Sequence, residues 1–334
     1  MITSKLLRAA SSSSENLKTK ISKMSEAILC RKLVKFETEK GKRIELEAVY
    51  EDSLSTGSSL GTVVGFHGSP GSHKDFKYIR NRLDELNIRF IGINYPGFTF
   101  TDGYPSQDHT NIERQNFSNS LLDELNIPGK IAYIGHSRGC ENALETAVGR
   151  SGQGLVMINP IGLRIHKGIN PISRMEWISW IYDHLPSVAG NAMMVGLYKM
   201  VGFKIQNGVE AINSMRSMCK VSLSGQLEFI EKTNEMDIKK LIVFAGKDHL
   251  VEEEIIFECL EKHNGLKHFN FDDKKIPEED LQKIMDSFSG AQKGASVYVA
   301  KDTHFQNKSQ AVLVAEACKA MFESEENVGK KNKL

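Results

Sequence analysis

IAYIGHSRGC, residues 131–140, passes from a short apolar run through a glycine-flanked turn into the helical spacing of Cys140 to Val148. A G-x-S-x-G turn between a strand and a helix lifts its central serine onto an exposed tip. Gly135 and Gly139 leave no side chain where neighbouring backbone approaches, and the helix behind the serine presents its N–H groups. Ser137 is therefore the candidate nucleophile, and the strand–turn–helix around it is the unit from which the rest of the chain is read.

Upstream, Arg31 to Glu39 and Arg43 to Tyr50 alternate apolar and polar residues about Gly41 and predict a hairpin of half-exposed strands. Gly61–Phe66, Ile88–Ile93, Leu155–Ile158, Leu241–Phe244 and Ser296–Ala300 are short apolar runs of the kind buried on both faces of a sheet. Helical spacing separates them at Asp75–Leu86, Ile112–Leu125, Glu252–Glu261 and Gln310–Phe322. This rhythm predicts an α/β fold, a mostly parallel sheet flanked by helices. It breaks between Pro160 and Asp237, where apolar residues fall only in helix-like clusters. Asn264 to Gly294 reads as a polar stretch with one amphipathic helix, Glu278 to Phe288. The expected organisation is a tail (1–28), a first core part (29–160), a helical cap insertion (161–237), a second core part (238–324) and a basic tail (325–334). Six of the twelve methionines lie between Met175 and Met218. They fit the lining of an adaptable apolar pocket or the private core of a helical hairpin.

The chain has 334 residues, a formal charge of +1, 40 % hydrophobic and 25 % charged residues. That balance excludes wholesale disorder and offers no electrostatic reason for a nucleic-acid partner. The five cysteines are widely spaced with no C-x-x-C, which argues against a disulfide framework or zinc knuckle and for a reduced compartment. No apolar run is long enough for a transmembrane helix. Met1 to Ser14 holds Lys5, Arg8, four consecutive serines (Ser11 to Ser14) and no acid, so a cytoplasmic location with a plain tail stands against a mitochondrial transit segment. No dinucleotide fingerprint, phosphate loop or H-e-x-x-H helix occurs, so neither cofactor nor metal is expected.

Ligands of such sheets bind at the carboxyl ends of the strands. A serine hydroxyl needs a base, and His304, just past the last predicted strand, is the candidate. Asp248, after Leu241–Phe244, is the acid expected to orient it. Asp302 is a rival by proximity, but sequence neighbours rarely face each other correctly. The oxyanion donors expected are the backbone N–H groups of Arg138 and of Ser69, in the loop 67–71; Pro70 has no N–H. His67, Gly68 and the Arg138 side chain are further candidates for substrate contact. Arg138 suits an anionic group, or an ion pair with an acid of the insertion or a neighbouring loop.

The motifs HGSPGS (67–72), NYPGFTFTDG (94–103), GHSRG (135–139), AGKD (245–248) and DTH (302–304) occur in this order. With them the chain resembles the α/β-hydrolase superfamily, of the serine-nucleophile type with a helical cap, over roughly Val34 to Phe322. Two positions depart from that pattern: Asn94, where many relatives carry Asp, and Thr99, where they carry a second Gly. Ser137 sets the chain apart from members that open epoxides or cleave carbon–halogen bonds with an aspartate. The resemblance implies a serine hydrolase acting through an acyl-enzyme on an ester or thioester of a small, apolar or lipid-like acyl substrate. An amidase or peptidase would use the same triad, as would perhydrolysis or carbon–carbon cleavage. A non-catalytic binding protein on this fold is the alternative from another class.

Overall fold

The computed structural model describes residues 28–324; the expectations for the N-terminal segment and the basic tail lie outside the described residues. Among these residues no helix is long and apolar enough to cross a membrane.

The predicted hairpin forms as β1 (Leu29–Glu37) and β2 (Arg43–Asp52), antiparallel over its whole length. Then follow β3 (Thr62–Phe66), α1 (Lys77–Glu85), β4 (Arg89–Ile93), α2 (Asn111–Leu125), β5 (Ile131–His136), α3 (Gly139–Gly149) and β6 (Gly154–Ile158). Four helices come next: α4 (Ile172–His184), α5 (Ser187–Met200), α6 (Gly208–Cys219) and α7 (Gln226–Glu235). The sheet resumes with β7 (Lys239–Ala245), α8 (Glu253–Leu260), β8 (Leu266–Phe271), α9 (Glu278–Asp286) and β9 (Gly294–Val299), and α10 (Gln306–Ser309) and α11 (Ala311–Glu323) close the described chain.

The nine strands lie in the order β1-β2-β4-β3-β5-β6-β7-β9-β8, antiparallel at β1, β2 and the β2–β4 pair and parallel from β4 onward. Alternate side chains divide cleanly between two cores, as the period of a strand requires. Val64, Ile91, Tyr133, Met157 and Ile242 face one side with Phe117 of α2, Leu144 of α3, Ile230 of α7 and Ile255 of α8. Val63, Phe90, Ile134, Val156 and Leu241 face the other with Ile79 of α1, Ile284 of α9 and Val314 of α11. From β3 the chain moves outward to β4, then returns to the opposite side as β5. The β3–β5 crevice is thus the point where the strand order reverses, where ligands of open parallel sheets bind.

One expectation is corrected. Residues 264–294 contain an additional strand, β8, parallel to β9 at the sheet edge. The edge position leaves Lys267, His268 and Asn270 exposed or half-exposed, which removes the apolar run that marks an interior strand. Within 161–237 the helices pack in two parts. Met194, Tyr198, Ile205, Ile212 and Met215 form a separate small core on α5, α6 and their linker, joined by Met175 and Ile178 of α4. α7 belongs to the main core through Ile230.

At the far end of the sheet, Lys240 of β7 is fully buried, its Nζ on Asn234 Oδ1 (2.8 Å) and Thr233 Oγ1 (3.4 Å) of α7. Burial and the neighbouring Lys293 lower its pKa from 10.5 to about 8. Between these values the unfolded chain holds a proton that the folded chain does not, so stability rises with pH there. Lys240→Met is expected to stabilise the protein at pH 7 by about 1–2 kcal/mol and to flatten that rise, read from urea unfolding at pH 7 and pH 10.

Candidate active site

The turn after β5 has the shape its glycines demand. A Cβ on Gly135 would lie 2.4 Å from the Cys140 Cα, and one on Gly139 1.9 Å from the Phe66 carbonyl oxygen. Backbone therefore passes where side chains cannot. Between them Ser137 sits at φ +53°, a left-handed conformation unusual for a non-glycine residue and one that holds its hydroxyl out on the turn. Its N–H donates to the Ile158 carbonyl (2.9 Å), tying the turn to β6.

His304 and Asp248 lie side by side. His304 Nδ1 donates to Asp248 Oδ2 at 2.6 Å, and both side chains are largely buried. Asp248 Oδ1 accepts the N–H groups of Leu250 (2.8 Å) and Val251 (3.1 Å). Burial alone would raise the Asp248 pKa; the hydrogen bond and charge of His304, with these N–H groups, outweigh it and hold the carboxyl below its usual range. The His304 carbonyl in turn accepts from His136 Nε2 (3.0 Å) and Asn159 Nδ2 (2.8 Å). The ends of β5, β6 and β9 are so fastened around one backbone oxygen. Asp302 faces elsewhere: its carboxylate takes Ser309 Oγ (2.5 Å), Gln310 Nε2 (3.0 Å) and the Thr303 N–H (2.9 Å), with Lys274 Nζ at 3.3 Å.

The loop after β3 lies against the turn, with a Gly68 Cβ position 3.3 Å from the Ser137 Cβ. Among the described residues, neither the Ser69 nor the Arg138 backbone N–H donates to a protein acceptor. His67 does not reach the cavity. Its buried ring donates from Nδ1 to the Gly68 carbonyl (2.8 Å) and accepts the Tyr95 N–H at Nε2 (3.2 Å), which shapes the loop. Asn94 does the same from β4: its Oδ1 accepts both the N–H and the Nδ1–H of His73 (2.9 and 3.0 Å), and its Nδ2 donates to the Val49 carbonyl (3.0 Å). An amide at this position fills the donor and acceptor roles together, which accounts for the departure seen in the sequence.

The Arg138 side chain is likewise withdrawn from the cavity. It is fully buried, donating from Nη1 to Ser217 Oγ of α6 (3.0 Å) and from Nη2 to the carbonyls of Lys220 (3.4 Å) and His109 (3.5 Å). The nearest carboxylate is Glu141 of its own helix, at 4.0 Å, rather than an acid of the insertion or a neighbouring loop. A second buried guanidinium, Arg114 of α2, stacks 3.5 Å from the Tyr95 ring and donates to Asn142 Oδ1 (2.9 Å), the His67 carbonyl (3.3 Å) and Ser217 Oγ (3.5 Å). Burial lowers the pKa of both guanidinium groups. Sequence reading missed Arg114 and Ser217, because each is defined by partners distant in the chain.

Ser137, His304 and Ser69 open onto a cavity of about 430 Å³. Its other walls are mainly apolar: Ile169, Met175 and Ile178, Leu197 and Met200, Met215 and Met218. The methionines thus divide between the private core of the insertion and this cavity. Arg174, an exposed residue not anticipated from the sequence, is the cation on its wall. Phe203 also borders a second cavity, of about 590 Å³, lined by Pro70 and Gly71, Lys74, Thr99, Lys204 and Phe305. The Phe203 and Phe305 rings meet edge-to-face at 6.2 Å on the wall of this second cavity.

Residues 26–323 match the sequence model of a family described as an alpha/beta hydrolase of unknown function. An uncharacterized Caenorhabditis elegans protein, F35H12.5, is 26 % identical over 302 residues, covering 86 % of this chain and 84 % of that protein. Among solved structures, haloalkane dehalogenase DbeA from Bradyrhizobium elkani superposes with a TM-score of 0.60 at 13 % identity, covering 91 % of this chain and all of that one. The esterase EaEST from Exiguobacterium antarcticum does so at 0.57 and 16 % identity, covering 87 % and 99 %. At these identities the two structures show a common fold.

Proposed function

This chain belongs to the α/β-hydrolase family of unknown function, and from that premise we propose that it is a serine hydrolase cleaving an ester or thioester of an apolar acyl group. The observation that carries the reading is the 2.6 Å His304–Asp248 hydrogen bond at the wall of a cavity that Ser137 shares. Because Nδ1–H is committed to Asp248, the neutral imidazole carries its lone pair at Nε2, the tautomer a general base needs. Ser137 Oγ attacks the carbonyl carbon while His304 Nε2 takes its proton. Asp248 stabilises the imidazolium so formed. The N–H groups of Ser69 and Arg138 receive the charge that develops on the carbonyl oxygen. His304 then protonates the leaving group, and water, deprotonated by the same base, releases the acyl group from Ser137.

The 430 Å³ chamber falls within the range of small-molecule sites, and its apolar, methionine-rich walls suit the acyl chain. The second chamber, beyond Phe203 and beside Phe305, is the place for the leaving group. An aspartate nucleophile would form an alkyl ester of its own carboxyl group by displacement at a saturated carbon; a serine such as Ser137 suits acyl transfer instead.

A fluorophosphonate probe tests the reading. Wild type is expected to be labelled and Ser137→Ala, equally folded, to remain unlabelled. Labelling that persists in Ser137→Ala, or a folded wild type that takes up no probe, overturns the assignment.

A further inference from the structure

Ser217 Oγ, fully buried in the last turn of α6, meets three potential donors: Arg138 Nη1 at 3.0 Å, Arg114 Nη1 at 3.5 Å and the Ser69 hydroxyl at 3.2 Å. A hydroxyl oxygen has two acceptor lone pairs and one proton. Guanidinium nitrogens can only donate, so the two arginines take both lone pairs. Ser217 has no other hydrogen-bond partner among the described residues, which leaves Ser69 Oγ as the acceptor for its proton. If Ser69 donated instead, three donors would crowd two lone pairs and the buried Ser217 proton would have no acceptor, a costly arrangement. Ser69 therefore receives a hydrogen bond from behind and is left with its own proton on the side that lines the cavity with Ser137 and His304.

We infer that the Ser69 hydroxyl is a third donor to the oxyanion, and that Ser217 is the positioning residue that turns it toward the substrate under the pull of two buried guanidinium groups. This rests on the serine-hydrolase reading above. The arrangement explains why two arginines lie beneath the elbow with a single carboxylate, Glu141, at 4.0 Å from one of them. Their charge is passed through two polarised hydroxyls and is felt where negative charge develops, in a medium of low dielectric. No cation enters the apolar chamber at that point, so a neutral acyl chain still fits. Ser217 belongs to the helical insertion and Ser69 to the loop after β3, so the third donor is oriented only while α6 is seated.

The test measures kcat and KM on an aryl butyrate and the inhibition constant of an alkyl trifluoromethyl ketone. Addition of Ser137 Oγ to that ketone forms a carbon–oxygen bond, passes the serine proton to His304 and leaves an alkoxide in the oxyanion position. Ser69→Ala and Ser217→Ala are each expected to lower kcat by about 10²-fold with KM changed by less than about threefold. The ketone should weaken by the same factor as kcat/KM. Ser217→Thr, which keeps the hydroxyl, should return kcat to within about threefold of wild type. The double variant Ser69→Ala/Ser217→Ala should be no slower than Ser69→Ala, because the two act in series.

The inference is overturned by a Ser217→Ala enzyme with kcat within twofold of wild type, by unchanged ketone inhibition, or by a double variant whose loss is the product of the two. If Ser217→Ala does not fold, Ser217→Cys, similar in volume but a weak donor, takes its place with the same expectations. Hydrolysis that survives Ser137→Ala defeats the serine-hydrolase reading instead and is distinguished by that control.

Discussion

Asp248→Asn is expected to lower kcat by about 10³–10⁴-fold, whereas Asp302→Asn is expected to leave it within about threefold. An amide at 248 would offer its N–H group or its carbonyl to His304. If it donates to Nδ1, the imidazole proton moves to Nε2, and the base loses the lone pair that the proposed proton transfer needs. If it accepts, the negative charge that stabilises the imidazolium is still gone. The Leu250 and Val251 N–H groups on Oδ1 keep the side chain in place, so the effect falls on chemistry rather than on folding. Asp302 acts in the opposite way. Its carboxylate binds Ser309, Gln310 and the Thr303 N–H, and its pKa is depressed: burial would raise it, but these hydrogen bonds prevail. Its contribution is present above the unfolded carboxylate pKa and is lost as pH falls through the lower folded value. Asp302→Asn therefore costs roughly 1–3 kcal/mol of stability at pH 7, and the deficit narrows in acid. Steady-state kinetics and urea unfolding of the two variants separate the roles; a crippling Asp302→Asn reverses the assignment of the acid.

Arg138→Leu is expected to destabilise the protein by about 3–5 kcal/mol, because it removes the partner of a buried Glu141 and leaves the carbonyls of Lys220 and His109 without their donor. Glu141 Oε1 accepts the Ser222 N–H (2.6 Å), a bond a glutamine also makes. Arg138→Leu/Glu141→Gln should therefore recover part of the loss, about 1–2 kcal/mol, in urea unfolding. On the sequence alone Arg138 suits an ion pair first and an anionic substrate second. The structure withdraws it from the cavity, so Arg138→Leu should slow anionic and neutral esters by the same factor. A selective loss on anionic esters would return Arg138 to the binding surface. The cation positioned to make that distinction is Arg174.

What could be read in the chain followed distance along it. The turn at 135–139 was legible because its glycines answer a local demand, close backbone approach on both sides of one serine. The interior strands were legible because burial on both faces leaves an uninterrupted apolar run. β8 was hidden by the same rule: at a sheet edge Lys267 and Asn270 meet solvent, and the run disappears. Ser137, Asp248 and His304 could be placed at strand ends in that order, whereas the 2.6 Å bond between the last two is a fact of the tertiary structure.

The chain by itself determined the α/β rhythm, the elbow and the candidate triad, since each depends on neighbours within a few residues or on the simple repetition of strand and helix. Only the tertiary structure decided the rest. It turned Arg138 away from the cavity, gave Asp302 to the last helices, made Asn94 the brace of the loop at 67–72, and brought Ser69, Arg114, Arg138 and Ser217 to one buried point. The physical reason is the same in each case. The direction of a polar side chain is set by whichever donors and acceptors share its burial; around Ser217 those partners lie 79, 103 and 148 positions away, beyond the reach of any local pattern, and even the near partners of Asp302 are brought to it by how the last helices pack.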